Sequence, residues 1–172
     1  TLRRIDFIAM RMLGQTGIAI AGAHGKSTTT ALIGWTLAAA GEDPTLFIGA
    51  DLSAFGGSAR SGHGRFVVAE ACEWNQQFLA LHPTVLVITT IDREHLDTYP
   101  GGDNEIIQAF NEAARNVHTN GFIVAQHDDP LVRRALAGVD RPIHWFGRSI
   151  ETAYRIVSLQ TKPSGEHRVG LM

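Results

Sequence analysis

The chain has 172 residues, 44% of them hydrophobic and 19% charged, a composition that suits one globular domain and excludes an intrinsically disordered chain. Fifteen basic and 17 acidic residues leave a net charge of -2, so no strong field points to nucleic acid or an anionic membrane as a partner. The lone cysteine, Cys72, can form no internal disulfide, which fits a reducing cytoplasm; no apolar run approaches the roughly 20 residues needed to cross a bilayer.

The spacing of Ile5, Ile8, Ala9 and Met12 predicts a short entry helix over 3–13. "GIAIAG" (17–22) reads as a buried strand, and 27–41 as a helix with Leu32, Ile33, Thr36, Leu37 and Ala40 along one side and Gly41 as its stop. Three further apolar runs, 44–49, 65–70 and 84–90, read as strands. The Gly/Ser-rich stretch 50–64 between the first two reads as a loop, long enough to suggest function. A helix is expected over 103–117, with Asp103 as N-cap and Ile106, Ile107, Phe110 and Ala114 on one face. Then come a strand (121–126), a short helix (128–138) capped by Asp128 and Asp129, and a strand (142–147). The last stretches, "TAYRIVSLQ" and "HRVGLM", alternate like an exposed antiparallel pair. Trp35, Trp74 and Trp145 read as packing residues. This order predicts an α/β fold: a mostly parallel, doubly wound sheet with helices on both faces and antiparallel strands near the C-terminus. The pattern leaves strand order open. A start at Thr1 and a finish in a strand-like pattern suggest that the domain is cut from a longer chain.

A strand, then "GAHGKST" (22–28), then a helix is the setting of a phosphate-binding loop. Gly22 and Gly25 let the backbone curl around oxygens, with Ala23 and His24 between them. Lys26 offers a mobile charge to the outer phosphates, and the Ser27 hydroxyl suits Mg²⁺, with Thr28 either beside that metal or capping the helix. The glycine spacing is shorter than in the common loop, where four residues precede Gly-Lys. Glu70 closes the strand "RFVVAE", at the end of a parallel sheet where ligands bind. By itself, His95, among Asp92, Glu94 and Asp97, reads as a charge-paired surface histidine.

The short loop resembles the ATP loop of the Mur ligase superfamily, amide ligases that build the peptidoglycan stem peptide. The segment 57–110, with "VVAEACEWNQQFL" and "TTIDREHLDTY", is similar to that family's central domain, and "HDDPLVRRAL" (127–136) continues the likeness. The resemblance implies ATP and Mg²⁺ as cofactors, with Lys26, Glu70 and His95 as catalytic residues. Residues 22–28 would hold the nucleotide; of two Mg²⁺ ions, one would be held by Ser27 and the phosphates and the other by Glu70 and His95. Arg60 and Glu73 match family positions that could meet substrate. His24 and the absence of a lysine from "EIIQAF" (105–110) are similar to the alanine-adding branch. That branch implies UDP-N-acetylmuramate and L-alanine as substrates, an acyl phosphate intermediate, and flanking N- and C-terminal ligase domains around a single central domain, 1–172, inactive without them. Two positions depart from the family: Cys72 stands where an aspartate is usual, and Thr90 where an asparagine is. A murein tripeptide recycling ligase, another P-loop enzyme (a kinase or GTPase) and a nucleotide-binding module without catalysis stay open as alternatives.

Overall fold

The structure, a computed structural model, describes residues 2–92, 99–164 and 167–172. In chain order the elements are α1 (Arg4–Met12), β1 (Thr16–Ala21), α2 (Lys26–Ala39), β2 (Thr45–Leu52), β3 (Gly57–Arg60), β4 (Phe66–Glu70) and β5 (Val85–Ile88). They continue with α3 (Asp103–Arg115), β6 (Phe122–Gln126), α4 (Pro130–Leu136), β7 (Ile143–Gly147), β8 (Tyr154–Thr161) and β9 (His167–Leu171). Short 3₁₀ turns cover Ser53–Phe55 and Trp74–Ala80.

The strands form one sheet in the order β3-β2-β4-β1-β5-β6-β7-β8-β9. Seven strands, from β2 to β8, run parallel; β3 and β9 close the edges antiparallel. Successive residues of β1 feed opposite faces. Ala19 and Ala21 join Ile5, Ile8 and Met12 of α1 and the apolar sides of α3 and α4. Ile18 and Ile20 join Leu46, Ile48, Val68 and Val87 on the other face, covered by Ile33 and Leu37 of α2. Covering on both faces is why these strands read as unbroken apolar runs rather than alternating ones.

Several local expectations change. The stretch 50–64 is not all loop: β2 continues to Leu52 and β3 returns beside it. Backbone pairing overrides the weak strand preference of Gly and Ser there. On α2 the sheet-facing side is Thr30, Ile33, Gly34 and Leu37, which leaves Leu32 and Trp35 about 60% exposed. Gly34 selects that side, because a Cβ there would strike the Leu46 side chain. Trp74 is also exposed, and of the three tryptophans only Trp145 packs against the core, with its ring edge-on to His127. Asp103 is the first residue of α3 rather than its cap, the cap position being Gly102. Asp129 alone caps α4, accepting from the amides of Leu131 and Val132. Asp128 accepts instead from the Arg148 amide.

Candidate active site

The chain leaves β1 for α2, crosses to β2, returns through β4 beside β1, and then reaches β5 on β1's other side. The segments after β1, β4 and β5 therefore meet at the carboxyl edge of three adjacent strands, the position where open α/β sheets bind ligands.

The segment after β1 is the glycine loop. Gly22 has φ 129°, and a Cβ there would run into the Thr89 hydroxyl and the Thr90 backbone. The loop is thus fitted against the end of β5. Ala23 donates its amide to the Thr90 carbonyl at 2.8 Å, His24 its amide to the Thr90 hydroxyl at 3.2 Å, and the Thr89 hydroxyl donates to the His24 carbonyl at 2.7 Å. Thr90, where the resembled family carries asparagine, fills its position with a hydroxyl that accepts from the loop. Gly25 is the N-cap of α2, and no side chain caps the helix start. The first-turn amides, which have no intrahelical acceptor, are left to an anion at the loop's mouth, where the helix dipole also favours negative charge.

The segment after β4 supplies two carboxylates. Glu70 accepts from the Ser27 hydroxyl at 2.8 Å and from the Gly49 amide at 2.8 Å, both on Oε2. A hydroxyl and a carboxylate in contact at a loop mouth are hard oxygen donors of the kind Mg²⁺ takes. Glu73, only 4% exposed, lies under the loop. The Lys26 ammonium stands 3.1 and 3.2 Å from its two oxygens, and also donates to the carbonyls of Gly22 (2.6 Å) and Ala23 (3.2 Å). Fully buried Tyr99 donates its hydroxyl to the Glu73 backbone carbonyl at 2.6 Å. Burial and the neighbouring Glu73 charge push the Tyr99 phenol well above its usual range, so it stays a neutral donor.

The structure thus brings Gly22, Ala23, His24, Gly25, Lys26, Ser27, Thr28, Glu70 and Glu73 to one edge. Thr28 is exposed on the first turn of α2, and the His24 ring nitrogen lies 3.8 Å from Asp92 after β5. His95 falls outside the described residues. Arg60 does not join the group: paired across from Leu46, it bonds Asp43 and the Pro44 carbonyl, which precede β2. Its guanidinium faces the amino-terminal end of the sheet, away from the glycine loop. Three residues of the site gave no signal in the sequence. Gly49 sits against Glu70, where a Cβ would lie 2.6–2.7 Å from the carboxylate atoms. Tyr99 fixes the Glu73 turn, and Thr89 braces the loop.

Comparisons with known proteins show the family. The Mur ligase middle domain family matches residues 20–170. A UDP-N-acetylmuramate–L-alanine ligase of Pelotomaculum thermopropionicum is 46% identical over 141 residues, 82% of this chain and 30% of its own length. One from Burkholderia vietnamiensis is 40% identical over 166 residues, 96% of this chain and 36% of its own length. The present chain therefore spans about a third of these relatives. In fold it is similar to UDP-N-acetylmuramate:L-alanyl-gamma-D-glutamyl-meso-diaminopimelate ligase from Neisseria meningitides, with TM-score 0.82 over 97% of this chain and 56% of that one, at 23% identity. With its loop, its paired glutamates and this match over nearly its whole length, the chain belongs to the Mur ligase family and forms its middle domain.

Proposed function

We propose that this chain is the ATP-binding middle domain of an ADP-forming ligase that joins L-alanine to UDP-N-acetylmuramate in peptidoglycan precursor synthesis. The observation that carries the reading is the convergence of Lys26, Ser27 and Glu70 at the mouth of a glycine loop braced by β5. Sequence relatives at 40–46% identity, both alanine-adding by name, support the choice of amino acid over the tripeptide alternative. Family membership sets the kinase and GTPase alternatives aside.

The reaction forms an amide in two steps. The sugar's carboxylate takes the terminal phosphoryl group of ATP, and the alanine amine then displaces phosphate. Such transfer needs aligned oxygens and neutralised charge more than covalent help. The loop amides and the start of α2 would seat the phosphates, and the Lys26 ammonium would meet the transferring group. Ser27 and Glu70 would hold Mg²⁺, with His95 as the resemblance's further ligand; the ion supplies Lewis-acid charge to the phosphate oxygens. Thr28 stands at the same helix start, and His24 flanks the loop's outer face. The remaining substrate contacts would come from flanking N- and C-terminal domains. A cytoplasmic setting, where ATP is available, suits the free thiol of Cys72.

The test is ADP release by the full-length protein with UDP-N-acetylmuramate and L-alanine. Lys26→Ala is expected to lose on the order of 100-fold or more in turnover, with its circular dichroism unchanged. Normal turnover in that variant would remove the loop from the chemistry. Activity with the tripeptide but not with L-alanine would redirect the reading to the recycling ligase.

A further inference from the structure

We propose that Glu73 is a positioning residue that holds the loop lysine as an internal counter-ion, so that nucleotide must displace a carboxylate before Lys26 can grip phosphate. The inference rests on the nucleotide-binding role proposed above and adds a residue that sets its strength.

The argument begins with donor count. A lysine ammonium has three N–H donors and no acceptor. In this structure they meet the Gly22 carbonyl, the Ala23 carbonyl and the Glu73 carboxylate. The ammonium is thus fully satisfied by the protein. Any phosphate oxygen it takes up must replace one of these partners. The two carbonyls belong to the loop that would wrap the phosphate. The carboxylate is the charged partner, and it is set below the loop by a segment 47 residues away in the chain.

Burial makes the pairing consequential. The Lys26 and Glu73 side chains are 12% and 5% exposed. A charge at that depth is costly without an opposite one beside it, and in the absence of ligand these two groups supply that to each other. The Glu73 turn is also built to stay where it is. Tyr99 donates to its carbonyl, as does the Gln76 amide at 3.0 Å. Asn75 and Gln76 adopt left-handed backbone immediately after it, a conformation that costs free energy in non-glycine residues and persists only where surrounding contacts enforce it. When phosphate arrives, the same carboxylate becomes a negative charge one ammonium away from the ligand. Glu73 therefore opposes tight retention of the nucleotide while keeping the lysine aligned.

The experiment measures ATP and ADP affinity of the full-length protein by calorimetry, with turnover alongside. Glu73→Gln keeps the shape and an acceptor for Lys26 but removes the charge. It is expected to bind both nucleotides about tenfold more tightly, as removal of one repelling charge near the site predicts, to lower KM for ATP, and to lower kcat through slower ADP release. General damage to the fold would weaken binding, so the sign separates the two causes. Glu73→Asp keeps the charge and is expected to stay within about threefold of the parent affinity. Unchanged or weaker binding in Glu73→Gln, or equal tightening in Glu73→Asp, overturns the proposal while leaving the nucleotide reading intact. Failure of the parent protein to bind ATP at all would overturn both.

Discussion

The Glu70 carboxylate sits between two donors from separate elements, the Ser27 hydroxyl in the first turn of α2 and the Gly49 amide within β2. The hydrogen bond from the Gly49 amide is possible only because residue 49 carries no side chain. In Gly49→Ala the new methyl would overlap the carboxylate, and the side chain, not the β2 backbone, is what can give way. Glu70 should then swing off Ser27. The expected result is a rise of about tenfold in the Mg²⁺ concentration needed for half-maximal turnover, with little change in the melting temperature. An unchanged Mg²⁺ titration would show that the 70–27 contact has no part in metal binding. The contrast between Gly49 and Lys26 explains what could be read at this scale. Lys26, Ser27 and both loop glycines lie together within residues 22–27, so their spacing displays their chemistry. Gly49 acts on a residue 21 positions away, and Glu73 on one 47 away. Neither separation leaves a pattern in a single sequence.

The β2–β3 ribbon shows the same effect for an element. Its sequence is too rich in Gly and Ser to announce a strand, and its register is fixed by partners outside it. Asp43, with positive φ at the turn before β2, accepts from the Arg60 guanidinium at 2.5 Å and from the His63 amide at 2.8 Å. These bonds, first the His63 amide and then the nearby charges, hold its carboxyl below the usual aspartate range. A carboxyl so lowered stabilises the folded chain at neutral pH. The contribution fades as pH falls below the unfolded aspartate value of ~3.9 and is gone below the folded one. Asp43→Asn should therefore lower Tm at neutral pH, and the difference from the parent should shrink steadily as pH falls below the unfolded aspartate value. A difference that persists in acid would mean that the loss is steric rather than electrostatic. Arg60 thereby has a structural role at the opposite end of the sheet from the loop, whatever it meets in a larger assembly. By contrast α1, α3 and α4 were legible, since each buries one helical stripe against the sheet and their periodicity survives in the sequence. The exception, α2, is apolar on its outer side as well, so the sequence alone could not orient it.

Across the molecule, the alternation of strands and helices dictated a parallel sheet, but nothing in it dictated that β4 would slot between β2 and β1. That order is what makes the site. It places the ends of β4 and β5 on either side of β1, so that one loop touches both Thr90 and Glu70 through neighbouring residues. An order with β4 at the edge would keep every motif and separate Glu70 from Ser27. The arrangement makes a prediction that no single motif makes. Hydrogen exchange of the full-length protein with and without ATP and Mg²⁺ should slow together in three segments far apart in sequence: 22–30, 70–76 and 89–92. The β8–β9 pair, four strands and more from β1 in the sheet, should not change. The three segments should respond as one because the Ser27–Glu70 contact and the Thr89 and Thr90 hydroxyls tie them to the same loop. Protection confined to 22–30 would mean that the glycine loop binds phosphate alone, and that its contacts with β4 and β5 serve only the fold.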